Sequence, residues 1–111
     1  MRVVNRNAVV VMPRQPFVDW IRRVSPVATV TLDEIRDDYS CYLIPELLSR
    51  REQKEYLEQN FTAIFRQELT AWSADSASWP KSMTFRLFLE FFEVNFHSVV
   101  QDLVDDPLWR P

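Results

Sequence analysis

Residues 84 to 104 read TFRLFLEFFEVNFHSVVQDLV, and the period assigned to this stretch decides what the chain builds. Phe85, Phe88, Leu89, Phe92, Phe96, Val99, Val100 and Leu103 recur at the three- and four-residue spacing that lines one face of a helix, so the spacing predicts a helix from about Thr84 to Val104. Leu87, Phe91 and Val94 fall roughly opposite that stripe, which makes the first half of the helix apolar on two sides. Either the segment carrying Phe17 and Trp20 covers the second side, or Leu87, Phe91 and Val94 form a contact surface for another protomer or a partner.

Upstream, Ser49-Arg50-Arg51-Glu52 has the spacing of a capping box. It opens a second long helix reaching to about Ser73, with Leu57, Phe61, Ile64, Phe65, Leu69 and Trp72 on one side. A Ser-rich link from Asp75 to Ser82 separates the two, and within it Pro80 pushes Trp79 out of helical geometry. Further upstream, Ala8 to Met12 is a β-branched run stopped by Pro13, which reads as a strand covered on both faces. Pro16 suits the first turn of a short helix whose Phe17, Trp20, Ile21 and Val24 share a face before Ser25-Pro26. Val27 to Val30 offers a third, edge strand or an extended connection. Thr31-Leu32-Asp33-Glu34 is another capping box, opening one or two helical turns. Cys41 to Ile44, stopped by Pro45, reads as a strand partner for Ala8 to Met12. These elements predict an α+β fold: a two- or three-stranded sheet flanked by one short and two long helices, in a single domain over residues 1–111.

Glycine is absent from all 111 residues. Phosphate-cradling loops, dinucleotide-binding turns and nucleophile elbows all need glycine where backbone hugs a ligand or bends sharply, so those functional classes are excluded and no cofactor is expected. Apolar residues make up 47% and aromatics 14% of the chain, enough large rings to offset the entropy of folding. Cys41 is the only cysteine, which rules out an internal disulfide and suits a reducing, cytoplasmic compartment. Near the N-terminus the apolar stretch Ala8 to Met12 is too short for an export signal or a membrane span.

The net charge of −3 is unevenly spread. Residues 1 to 26 hold five Arg against Asp19, a local +4 that leaves −7 for the remainder. The basic segment can pack on the acidic remainder or meet an external anion; the acidic total favours the first and argues against nucleic acid. Eleven Arg to two Lys suits planar two-point contacts with carboxylates, within the fold or across an interface.

Three segments, Met12-Pro13-Arg14-Gln15-Pro16-Phe17-Val18-Asp19-Trp20, Tyr42-Leu43-Ile44-Pro45-Glu46 and Trp79-Pro80, together resemble a group of small, uncharacterised bacterial proteins. The resemblance spans most of the chain. It implies a bacterial cytosolic origin and brings no catalytic residue with it.

Among single residues Glu68 stands out, because helical spacing places it inside the apolar stripe between Ile64, Phe65 and Trp72. A desolvated carboxyl there could serve as a general acid or base; otherwise it pairs with Arg22 or Arg23, or reaches water along its stem. Glu93 and His97, with Glu90 and Gln101 on the same polar wedge, are spaced as helical metal ligands, but a single histidine is thin for a metal site. Cys41 with His97 is a conceivable nucleophile and base, set against Cys41 as inert packing in an apolar strand; Ser98, adjacent to His97, faces away from it. Asp37-Asp38 and Asp105-Asp106 read as solvated helix-end acids. The expected binding surface combines Leu87, Phe91, Val94 and Trp109 with Arg14, Arg22 and Arg23; aromatic and Arg side chains are of the kind enriched at interaction hot spots. The reading ranks a protein-interaction or regulatory module first, binding a protein partner or itself as a homodimer. A small enzyme using Glu68 and a weak nucleic-acid binder using the N-terminal arginines are the alternatives.

Overall fold

A computed structural model describes residues 1–25 and 29–110. The fold is α+β, with strands β1 (Arg2–Val3), β2 (Arg6–Pro13), β3 (Ser40–Pro45), β4 (Phe92–His97) and β5 (Gln101–Asp102) and helices α1 (Gln15–Val24), α2 (Leu32–Ile35), α3 (Arg50–Thr70) and α4 (Phe85–Phe91). β2 is the centre of a three-stranded antiparallel sheet in the order β3-β2-β4, and β1 pairs with β5 in a separate two-stranded one. Val9 stands opposite Tyr42 on one side and Phe96 on the other. Arg2 faces Asp102 and the Val4 N–H donates to Val100 O at 2.9 Å, so β1 and β5 prolong the β2–β4 ribbon past the end of the sheet. The molecule is correspondingly elongated, 44 × 29 × 27 Å.

Phe92 to His97 is strand, not helix, and this is the main correction to the sequence reading. Thr84 caps α4, its Oγ1 accepting from the Leu87 N–H at 3.1 Å, but the helix ends after two turns. From Phe92 onward the chain alternates Phe, Val, Phe with Glu, Asn, His, a period of two that suits a half-buried strand. The open flank of β2 supplies backbone partners for it, and tertiary pairing overrides the helical spacing. The third strand is therefore β4. The alternative at Val27 to Val30 lies partly outside the described residues, and Thr29 and Val30 belong to no strand.

Among the described residues, α1, α3 and α4 cover one face of the sheet. Its inner face carries Val9 and Val11, fully buried, with Ile44 and Phe92 beside them. The outer face holds Val10 and Met12, half-buried, and exposed Cys41 and His97, so β2 is not sandwiched as its apolar run suggests. Phe65 on α3 is the hub of the core, its ring edge-on to Phe88, Phe91 and Phe92 at 5.5, 5.5 and 5.9 Å. Phe17 on α1 lies 4.7 Å from Phe92 and 5.9 Å from Phe91. Truncating a ring so placed costs about 3–5 kcal/mol. Ser49 and Thr31 cap α3 and α2 as their spacing predicts, accepting from the Glu52 and Glu34 amides at 3.1 and 3.3 Å. The Trp20 indole donates to Ser78 O and that of Trp79 to Ser73 O, at 3.0 and 2.9 Å, which pins the link between α3 and α4.

Candidate interaction surface

Among the described residues β4 pairs with β2 alone, and its other edge borders a groove. The first turns of α3 form the opposite bank with Arg50, Gln53 and Lys54, and Leu57, Phe85 and Leu89 make an apolar floor beside Val94 and Phe96. The enclosed part measures about 390 Å³. It runs on into a shallower trough over Lys54, Glu58, Arg86 and Glu90.

The electrostatics of the two parts differ. In the trough Arg86 meets Glu90 at 3.6 Å, whereas among the described residues no acidic one lines the groove beside β4. Neither Arg50 nor Lys54 forms an ion pair among the described residues. Gln53 is only 7% exposed and makes no side-chain hydrogen bond among the described residues. An apolar floor with two free cations and the Gln53 amide at its rim suits a ligand that is partly apolar and partly anionic.

The second notable surface is the terminal ribbon. Val3, Val99, Leu103, Val104, Leu108 and Trp109 all lie there with more than half of their surface exposed. Arg2 Nη2 donates to Asp105 O at 2.5 Å, and Asp106, Pro107 and Leu108 border a shallow cleft against β1.

Glu68 is half-buried, and its partner is neither Arg22 nor Arg23. The Tyr42 hydroxyl donates to Glu68 Oε2, while Arg22 donates to Val30 O at 2.9 and 3.2 Å and Arg23 is exposed. Burial, then the hydrogen bond to Glu68 and repulsion from its charge, push the Tyr42 phenol well above its ordinary value. Glu68 borders a cavity of about 200 Å³ with Pro13, Phe17 and Trp72. The pair is a strut between β3 and α3.

The other candidates disperse. Phe91 is core, 5% exposed and packed on Phe17, so α1 covers the second apolar side of α4 and Phe91 leaves the binding surface; Leu87 is half-buried against the same cluster. Val94 does reach a surface, as a wall of the groove, and Trp109 is exposed. Arg14, just before α1, is exposed as well. In strand geometry Glu93 and His97 stand roughly 13 Å apart along β4, too far to share an ion, and Glu93 instead meets Arg36 at 3.4 Å. Cys41 is exposed rather than packed, and β2 separates it from His97 by roughly 10 Å across the sheet, which precludes a nucleophile and base pair. No group of three or more His, Cys, Asp or Glu side chains is placed to hold a metal among the described residues. Arg2, Arg6, Arg14, Arg22 and Arg23 form no salt bridge there either, so the basic segment does not neutralise the acidic remainder through direct ion pairs.

The sequence reading missed Arg50, Gln53, Lys54 and Leu89 as surface determinants. Their one sequence signal, two unpaired cations in the first turns of a helix, gains meaning only once β4 lies alongside. The chain matches no family model, no curated protein and no solved structure.

Proposed function

We propose that this chain is a bacterial, cytosolic protein-interaction module that associates with protein surfaces, its own included. The observation that carries this reading is the placement of exposed apolar side chains. Of the eleven large apolar residues exposed among the described ones, seven (Met1, Val3, Val99, Leu103, Val104, Leu108 and Trp109) sit on the terminal ribbon and its continuation. Scattered exposed apolars need no explanation, but their concentration on one terminal part of the fold reads as a contact surface. Cytosolic residence is supported by the single cysteine, and among the described residues no helix is long and apolar enough to cross a membrane. The bacterial assignment is supported by the sequence resemblance at Met12 to Trp20 and Tyr42 to Glu46.

Light scattering against concentration tests the reading. The intact chain is expected to gain mass as concentration rises, and Val99→Asp with Trp109→Asp to stay at monomer mass with the same circular dichroism. An intact chain that remains monomeric at every accessible concentration removes self-association from the function.

A further inference from the structure

The groove beside β4 has an occupant that the chain itself can supply, given the self-association proposed above. We infer that residues Leu103 to Asp106 of a second copy add a strand to the free edge of β4, so that two copies exchange these segments reciprocally and close a two-fold dimer.

The receiving edge is built for strand addition. Asn95 borders the groove, yet its pairing with Val10 and the alternation of β4 put its side chain on the outer face of the sheet, so the groove reaches its backbone. An edge strand offers one unpaired set of N–H and C=O groups, and strand addition satisfies them. Leu57, Phe85 and Leu89 then present the apolar floor to alternate side chains of the incoming strand, with Val94 and Phe96 as the wall beside it.

The incoming segment matches that floor and its charge. Leu103-Val104-Asp105-Asp106 has no secondary structure of its own, and Leu103 and Val104 are 75% and 57% exposed. In an extended strand Leu103 shares a face with Asp105, and Val104 with Asp106. Either register therefore sends one apolar side chain to the Leu57, Phe85 and Leu89 floor, with a carboxylate roughly 7 Å further along for Arg50 and Lys54. Those cations have no acidic partner among the described residues, and the Gln53 amide stands between them. Pro107 cannot donate to a ladder and ends the added strand. Within one copy the segment turns the other way, held against β1 by the Arg2 to Asp105 contact, which is exposed and easily given up. Each copy has one groove and one segment, so the exchange closes on itself without leaving free ends.

Charge exchange in the full-length chain tests this, because Arg50, Lys54, Asp105 and Asp106 are all exposed and their substitution should leave the fold intact. Arg50→Glu with Lys54→Glu is expected to weaken the dimer at least about tenfold, as is Asp105→Lys with Asp106→Lys, and mixing the two variants to restore a heterodimer. As a second readout, a synthetic peptide of residues 101–110 should compete with dimer formation and shift the amide resonances of Val94 to Phe96. A dimer that survives both reversals overturns the inference while leaving self-association through the ribbon standing. A chain that is monomeric throughout overturns both. An unrelated acidic peptide that binds the groove as tightly as the 101–110 peptide also overturns the inference, since the groove would then serve acidic segments of other proteins.

Discussion

Tyr42 and Glu68 make one polar contact between the inner face of β3 and the stripe of α3. A hydrogen bond to a charged group contributes about 1.5–3 kcal/mol when enclosed, and half-exposure reduces that, so Tyr42→Phe should lower stability by about 1 kcal/mol in urea titration. The loss appears as a lower midpoint with an unchanged slope, since the variant exposes the same surface on unfolding. Burial of the Tyr42 phenol, reinforced by the same pair, gives the fold an alkaline weakness. Folding raises the Tyr42 pKa above the unfolded value near 10, so the folded state holds the proton more tightly than the unfolded chain does. That contribution is complete below about pH 10 and is lost as pH climbs from there toward the folded-state value. Wild-type stability should therefore fall more steeply above pH 10 than that of Tyr42→Phe, whose curve lacks this component. Parallel curves for the two proteins would show that the phenol is not held by Glu68.

At the scale of elements, Phe92 to His97 gives the sharpest test, since an edge strand and a helix differ in backbone protection. In the strand only the amides turned toward β2 are bonded. Hydrogen exchange in a non-associating variant should therefore alternate slow and fast along residues 92–97, whereas uniform protection would point to a helix. The same segment explains how much could be read from sequence. α1, both capping boxes, α3 and the β2–β3 pairing were legible because their signals are local: Pro16 in a first turn, Ser49 and Glu52 three apart, β-branched runs ended by Pro13 and Pro45. Phe88, Phe92 and Phe96 are four apart and satisfy the helical period, while Phe92, Val94 and Phe96 satisfy the strand period, so the aromatic spacing serves two structures at once. What decides between them is the unpaired flank of β2, which lies at the far end of the sequence and pairs Val10 with Asn95 and Val11 with Val94. The groove was hidden for the same reason. Its cations and its apolar wall come from α3 and β4, and mistaking the strand for helix turned Val94 toward the wrong neighbours and grouped it with Phe91.

On the scale of the whole molecule, the core and the projecting ribbon divide the work of stability and contact. Among the described residues the fifteen buried apolar side chains belong to β2, α1, β3, α3, α4 and β4, and none to β1, β5 or the segment after them. A two-stranded ribbon of two residue pairs is marginal in water, so β1 and β5 add little to the free energy of folding while displaying large apolar side chains. Ending the chain at Asp102 should then leave the monomer nearly as stable as before. A change within about 0.5 kcal/mol, the usual range for surface alterations, corresponds to a shift of about 2–4 °C in midpoint for a chain of this size. Association has a different signature, because anything that binds only the folded state raises the apparent midpoint by mass action. The intact chain should melt at a temperature that climbs with protein concentration, and the shortened chain at one that does not. Differential scanning calorimetry over a wide concentration range separates the two effects. A shortened chain that melts far lower at every concentration would mean that the segment supports the core, and the division between a stable body and a contact arm would fall.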